Sequence, residues 1–161
     1  MRVAVGMDHA GIPLKQPLLD ELARLGHTAI DFGTYSESPV DYPDYALAVA
    51  EAIVAGQADL GVLLCGSGVG ASMAANKVPG VRAALCHDTY SAHQSREHDD
   101  ANVLVMGPRV IGPSLARDVL ETFLKAHFSG AERHRRRLGK IAAIEARFAP
   151  GRKEPGVCSV E

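Results

Sequence analysis

Short runs of apolar residues recur along the whole chain and are separated by longer amphipathic segments. The runs are rich in Val, Leu, Ile and Ala, lack regular polar alternation, and lie at Val3–Gly6, Thr28–Phe32, Leu60–Leu64, Val81–Cys86 and Val103–Met106. Strands of a parallel sheet have this pattern because helices cover both of its faces. The pattern therefore predicts five parallel strands.

The segments between the runs carry helical periodicity. Leu14, Leu18, Leu22 and Leu25 follow one another at spacings of four and three, which places them on one helix face. Pro13 lies near the start of this helix and Gly26 just after its end, as helix geometry favours. Further helices are predicted from about Pro43 to Ala55, after the glycines of Gly66–Gly70, soon after His87, over Leu115–Ala126 and from about Glu132 to Phe148.

Strands that alternate with helices predict an α/β fold. We expect a three-layer αβα, doubly wound domain of the Rossmann or flavodoxin kind over residues 1–148, with right-handed crossovers. Residues 149–161 contain Pro150, Gly151, Pro155 and Gly156 and are predicted to form a flexible C-terminal tail.

Composition narrows the functional classes. The chain has 161 residues, 47% of them apolar and 22% charged, which is typical of one globular domain. A net charge of −2 argues against a nucleic-acid or membrane partner, and the N-terminus has no signal-peptide pattern, so we expect a cytoplasmic protein. Cys65, Cys86 and Cys158 are odd in number and form no CxxC pair, which argues against disulfides and structural zinc.

Ligands of parallel sheets bind outside the carboxyl ends of the strands, so the residues there are the candidate site. After the first strand lie Asp8 and His9, without the GxGxxG fingerprint of a dinucleotide site. Asp8 either caps the first helix while His9 packs on the surface, or both contact a ligand; position alone favours neither.

A glycine-rich turn, Cys65-Gly66-Ser67-Gly68-Val69-Gly70, follows the third strand. Its alternating glycines allow a tight turn that directs backbone amides at an anion. A helix N-terminus lowers the pKa of a thiol, so Cys65 is a candidate proton-transfer base. The alternative is a buried cysteine that acts as a small apolar residue, an interpretation that suits Cys86 better.

Two polar clusters lie further along the chain. The segment before the fifth strand contains His98, a residue type that gives and takes protons at cellular pH. His87, His93 and His98 are spaced by six and five residues, which does not predict a metal site. Near the C-terminus, Arg133 and Arg137 are spaced to share a helix face; they either bind a phosphate or belong to a solvated surface.

Taken together, these motifs resemble ribose-5-phosphate isomerase B, in the family that includes the galactose-6-phosphate isomerase subunits. The resemblance covers about residues 2–148. It rests on Gly6-Met7-Asp8-His9-Ala10-Gly11, Asp41-Tyr42-Pro43, Cys65-Gly66-Ser67-Gly68-Val69-Gly70, Ala74-Ala75-Asn76-Lys77, Ser95-Arg96-Glu97-His98 and Arg133-His134 with Arg137.

The resemblance implies an aldose–ketose isomerase that acts on a sugar phosphate and needs no metal or other cofactor. It implies that Cys65 moves the proton, that Ser67 handles the substrate oxygens and that His98 opens the sugar ring. The implied substrate contacts are Asp8, His9, Gly66, Gly68, Val69, Gly70, Asp99, Arg109, Arg133, His134 and Arg137. It also implies a homodimer or homotetramer with active sites shared between subunits and the C-terminal helix packed on a neighbour.

Two positions bear on the choice of mechanism and substrate. Ala71 stands where one branch of the family has a glutamate base, which leaves Cys65 as the base. Asp99 stands where asparagine commonly follows the histidine, and a carboxylate only accepts hydrogen bonds. We expect ribose 5-phosphate and ribulose 5-phosphate as substrates. The alternatives are a tetrulose phosphate, allose or galactose 6-phosphate, or a non-catalytic sugar-phosphate-binding subunit; a flavodoxin-like nucleotide binder would need the phosphate loop that is missing after the first strand.

Overall fold

A five-stranded parallel sheet forms the centre of the computed structural model, which describes residues 1–149. The strands are β1 (Arg2–Met7), β2 (Thr28–Asp31), β3 (Leu60–Leu64), β4 (Ala83–Leu85) and β5 (Val103–Met106). They lie in the order β2-β1-β3-β5-β4, and every neighbouring pair is parallel. The predicted α/β class and the five parallel strands are therefore confirmed.

The first two residues predicted for β4 precede the observed strand. The amide of Val81 donates to the carbonyl of Val78, and the amide of Arg82 donates to the side-chain oxygen of Asn102 at 2.7 Å. Because the side chain of the residue just before β5 accepts the Arg82 amide, regular strand pairing begins only at Ala83.

The described residues contain six α-helices: α1 (Ile12–Arg24), α2 (Tyr42–Val54), α3 (Val69–Ala75), α4 (Thr89–Asp99), α5 (Pro113–Lys125) and α6 (Glu132–Phe148). A 3₁₀ turn, His9–Gly11, precedes α1. Among the helix starts, the largest difference from the prediction is at α5, which begins at Pro113 rather than Leu115. Proline fits the first helical position because no intrahelical partner is lost there.

Two apolar clusters, one on each face of the sheet, form the core. One contains Val3 and Val5 of β1 with the buried faces of α1 and α5, including Leu18 and Phe123. The other contains Ala4 of β1 with the small side chains of α2 and α3. Successive residues of a strand point to opposite faces, so β1 contributes to both clusters and the three-layer arrangement is confirmed.

Residues Met1–Ser129 form one compact unit, and a second unit begins at Gly130 and contains α6. Taken by itself, α6 carries six Lys and Arg side chains, at positions 133, 135, 136, 137, 140 and 147, and the exposed apolar residues Ile141, Ile144 and Phe148. Within the described residues, no helix has the length and apolar character needed to cross a membrane. The predicted tail falls almost wholly on residues 150–161, which lie outside the described residues.

Candidate active site

Three turns meet where β1, β3 and β5 end. The amide of Asp8 donates to the carbonyl of Leu64 at 3.3 Å, and the amide of Cys65 donates to the carbonyl of Met106 at 3.3 Å. The amide of Arg109 donates to the carbonyl of Gly66 at 3.1 Å. These backbone bonds place Asp8, Cys65 and Arg109 at one edge of the sheet, beside the point between β1 and β3 where the strand order reverses.

Glycine is required where these turns touch. Gly68 has a φ of +82°, in the left-handed region, and a Cβ at this position would lie 2.6 Å from the side chain of Leu85. A Cβ on Gly66 would lie 3.2 Å from the guanidinium carbon of Arg109. The turn can therefore bring its backbone against both neighbours, and the Arg109 side chain extends over Gly66.

The Cys65 sulfur lies at the centre of this edge and is nearly buried, with 8% of the residue exposed. Burial raises the pKa of the thiol, and the neighbouring Asp8 carboxylate raises it further by its charge and by accepting the thiol hydrogen bond. The backbone amides of Gly68 and Ala71 act in the opposite direction and lower the pKa. The net effect is a raised pKa, so the lowering expected from the helix N-terminus is wrong for this thiol, which keeps its proton at neutral pH.

The glycine turn thus acts on the sulfur through one of its own amides. The sequence predicted that its alternating glycines direct backbone amides at an anion. In the structure the Gly68 amide favours the thiolate form of Cys65, and the Val69 amide donates to the Ser67 hydroxyl at 3.4 Å. The anion that the turn favours in the single chain is therefore the thiolate. Ser67 itself is exposed at the mouth of the turn.

Asp8 caps a turn, which was one of the two interpretations that the sequence left open, and it also lies beside Cys65. Its Oδ1 accepts the amide of Gly11 at 3.0 Å and so caps the 3₁₀ turn before α1. The same carboxylate lies against the Cys65 thiol and is only 5% exposed. His9 is half-buried, and its Nδ1 accepts the amide of Val40 at 3.2 Å, so the ring proton lies on Nε2. Nε2 can donate to an anion.

His98 lies on α4, and its described contacts are made with neighbours on that helix. Nδ1 lies 3.2 Å from the side-chain nitrogen of Gln94, and Nε2 lies 3.5 Å from a carboxylate oxygen of Glu97. Asp99 is exposed at the last residue of the helix. Gln94 and Glu97 together fix the ring, with the proton of a neutral ring on Nε2.

The three predicted phosphate contacts near the C-terminus lie in the second unit. Arg133 and Arg137 are exposed and one helical turn apart on α6. The Nε of Arg133 donates to Nε2 of His134 at 3.0 Å, which leaves the terminal guanidinium nitrogens of Arg133 to bind an anion. Within this unit Arg133 and Arg137 form one exposed basic group at the start of α6, whereas His134 is buried and its Nε2 accepts the Arg133 bond.

Two residues of the edge were missed as site residues by sequence reasoning. A Cβ on Gly70 would lie 2.5 Å from the Cζ atom of Tyr42, so the Tyr42 ring borders the glycine turn. His87 accepts the amide of Gly107 at 3.0 Å, in the turn that carries Arg109. The sequence contains the Asp41-Tyr42-Pro43 motif and the glycine after β5, but neither pattern shows which residue Tyr42 or Gly107 contacts in the fold.

Comparison with known proteins gives a consistent result. Residues 3–141 match the family described as Ribose/Galactose Isomerase. The chain is 46% identical to ribose-5-phosphate isomerase B of Escherichia coli, over 91% of this chain and 97% of that protein. It is 45% identical to D-erythrulose-4-phosphate isomerase of Pectobacterium atrosepticum, over 81% of this chain and 86% of that protein.

Solved structures agree with the fold. Ribose-5-phosphate isomerase B of Clostridium thermocellum superposes with a TM-score of 0.90 at 50% identity, over 92% of this chain and all of the other. The crystal structure of ribose-5-phosphate isomerase B from Mycoplasma genitalium with bound ribulose 5-phosphate superposes with a TM-score of 0.84 at 39% identity, over 90% and 96% of the two chains. The resemblance inferred from the motifs is confirmed.

Replacing Asp8 by Asn tests the electrostatic description of the thiol. The change removes the negative charge that raises the pKa of Cys65, so the thiolate forms at lower pH. We expect iodoacetamide alkylation of Cys65, followed by peptide mass spectrometry between about pH 6 and 10, to reach its midpoint at lower pH than in the wild type. Asp118→Asn, the same change on an exposed face of α5, is the control. An unchanged or higher midpoint in Asp8→Asn would refute the description.

Proposed function

We propose that this chain, which belongs to the ribose/galactose isomerase family, interconverts ribose 5-phosphate and ribulose 5-phosphate through an enediolate. Its relatives are sugar-phosphate isomerases, and the chain is an enzyme of that class. The observation that carries the proposal is the Cys65 thiol, placed by main-chain bonds at the carboxyl edge of the sheet, beside Asp8 and at the start of the glycine turn.

Cys65 acts as the base in this proposal. Its thiolate removes the proton from C2 of the open-chain aldose, a C1–C2 double bond forms, and the electron pair of the carbonyl moves to O1. The thiol then returns the proton to C1, and the hydroxyl proton of O2 passes to O1, which gives the ketose. One group serves both carbons because they are adjacent, and such a base contributes about 10²- to 10⁴-fold to the rate.

The remaining groups act on the oxygens of the substrate and on its furanose ring. The exposed Ser67 hydroxyl and the amides of Gly66 to Gly70 stabilise the charge that develops on the enediolate oxygens, as preorganised donors do. His98, whose ring is fixed by Gln94 and Glu97, transfers the proton that opens the furanose. Asp8 and Arg109 contact sugar hydroxyls from either side of the turn.

The phosphate is bound by the basic group of α6. Two guanidinium groups one helical turn apart match the oxygens of a phosphate, and His134 fixes the Nε of Arg133. His9 adds its Nε2 proton. Binding energy from this remote group holds the reacting carbons against Cys65.

We assign residues 1–148 to this single isomerase function, in the cytoplasm.

We further propose that two copies share each site. Ile141, Ile144 and Phe148 form an apolar stripe on α6 and are 50%, 61% and 75% exposed in the single chain. Exposed apolar stripes of this kind are buried in symmetric oligomers. A neighbouring copy packed on α6 would cover the stripe and receive the basic group, which gives a homodimer or homotetramer.

A related substrate is the second candidate, because Asp99 is a carboxylate. It accepts hydrogen bonds from sugar hydroxyls but cannot donate to them, whereas an asparagine does both. The chain is also similar to an erythrulose-4-phosphate isomerase at 45% identity. The same proton transfer on a tetrulose phosphate, or on allose or galactose 6-phosphate, would need the same thiol.

Cys65→Ala should lower kcat by about 10³-fold while leaving the dissociation constant for ribose 5-phosphate within about threefold of the wild type, because the base is lost and the phosphate contacts stay. Coupled kinetics and calorimetric titration measure the two quantities. Cys86→Ala is the matched control, since Cys86 is buried beside Ser95 behind the edge strand. A Cys65→Ala enzyme with the wild-type rate would exclude the thiol from the mechanism.

A panel of C4, C5 and C6 sugar phosphates tests the substrate. We expect the highest kcat/KM on ribose 5-phosphate, and we expect Asp99→Asn to raise that value about fivefold relative to the other sugars, the size of one hydrogen bond. Steady-state isomerisation rates provide the comparison. A wild-type preference for a tetrulose or hexose phosphate would replace the proposed substrate, and no turnover on any sugar would favour a binding subunit.

Mixing two impaired variants tests the shared site. In a hybrid of Cys65→Ala and Arg137→Ala subunits, one shared site receives the intact thiol and the intact arginine. At substrate concentrations below KM, dissociated and reassociated mixtures should therefore recover about a quarter of the wild-type activity, above either variant alone. Sites contained within one chain would show only the average of the two variants.

A further inference from the structure

His87 reaches from the edge strand of the sheet to the turn that follows the neighbouring strand. In the β4–β5 register Leu85 pairs with Val105, so two residues further on His87 lies opposite Gly107. The backbone hydrogen bonds between β4 and β5 end before this point, and a side-chain bond follows them: Nε2 of His87 accepts the amide of Gly107 at 3.0 Å. The imidazole thus closes the sheet edge at its carboxyl end.

The bond defines the protonation state of the ring. An acceptor nitrogen carries no proton, so the ring is neutral and protonated on Nδ1. Partial burial lowers the pKa of His87, and the nearby Asp88 carboxylate opposes this effect. The Asp88 carboxylate is itself bound to the amide of Ser91 at the start of α4. The turn that faces the ring presents the backbone of Gly107, with Arg109 two residues further on.

Gly107 lies directly against the proposed reaction centre. A Cβ at this position would come within 2.5 Å of the Ser67 backbone and 2.6 Å of the Gly66 carbonyl oxygen. The Gly107 carbonyl accepts the amides of Val110 and Ile111 at 3.0 and 3.2 Å, which closes the turn around Arg109. A shift of Gly107 would therefore move both Arg109 and the backbone that supports Ser67.

We propose that neutral His87 is a positioning residue, which holds the turn 107–111 against the glycine turn 65–68 and thereby fixes Ser67 and Arg109 for the substrate. The inference rests on the proposed isomerase function. A histidine that only tethers the edge strand would affect stability alone. Because Gly107 lies between His87 and Ser67, loss of the His87 bond would also displace Ser67. Reaction rates depend on sub-ångström placement of the groups that contact the substrate, so the loss would lower the rate.

The experiment compares His87→Ala with His87→Gln. Alanine removes the acceptor, whereas the glutamine side-chain oxygen can accept the Gly107 amide at every pH. We expect kcat/KM of His87→Ala on ribose 5-phosphate to fall about tenfold and that of His87→Gln to stay within about threefold of the wild type. His127→Ala is the control, since His127 is exposed after the end of α5 and contacts the Lys125 carbonyl. His87→Asn, whose amide is one methylene shorter, replaces His87→Ala if the latter does not fold.

Alkylation of Cys65 gives a second measurement, which does not depend on catalytic activity. Loosening the turn changes both the burial of the sulfur and the influence of the Gly68 and Ala71 amides, which together set the thiol pKa. The pH midpoint of iodoacetamide alkylation should therefore shift in His87→Ala and stay in place in His87→Gln. If the wild type isomerises no sugar phosphate, the proposed function fails while this measurement still tests the positioning.

Either of two results would overturn the inference. One is a His87→Ala protein with wild-type kinetics and a wild-type alkylation midpoint. The other is a His87→Gln protein as impaired as His87→Ala in both measurements, which would show that the acceptor is not what matters. A lower melting temperature with unchanged kinetics and alkylation belongs to the first result and assigns His87 to the stability of the strand edge.

Discussion

The backbone of Gly107 touches the backbone of Ser67 so closely that no side chain fits between them, and the geometry of the candidate site depends on this contact. A Cβ on Gly107 would lie 2.5 Å from the Cα of Ser67. Because the turns after β3 and β5 meet in this way, Met106 can accept the Cys65 amide and Gly66 can accept the Arg109 amide. The thiol and the arginine are thus positioned by main-chain bonds.

Electrostatics at the thiol follow from the same geometry. Burial and the Asp8 carboxylate raise its pKa, while the amides of Gly68 and Ala71 lower it, and the raising effects dominate. A raised pKa reduces the thiolate fraction at neutral pH but makes each thiolate a stronger base. Under the proposed function the base removes a weakly acidic proton next to a sugar carbonyl, so this basicity is useful. The amides of Gly68 and Ala71 partly offset the effect of burial on the thiol pKa.

Much of this arrangement could be predicted from the sequence, because apolar runs, helical periodicity and alternating glycines are local signals. They gave the strands, the helices within a few residues and the turn around Cys65. The strand order could not be read, since the pattern records which faces are buried but not which strands are neighbours. The late start of β4 depends on the Asn102 side chain, and the contact between His87 and Gly107 depends on strand register; both are tertiary contacts.

Under the proposed function, the two ends of the substrate meet parts of the chain with different constraints. In that proposal the carbons that exchange the proton would lie at a sheet edge fixed by backbone bonds among three strands, and the phosphate would be bound by side chains of α6. Relatives named for erythrulose 4-phosphate and for ribose 5-phosphate are comparably similar to this chain, at 45% and 46% identity. That similarity is expected if one catalytic edge serves sugars of different length.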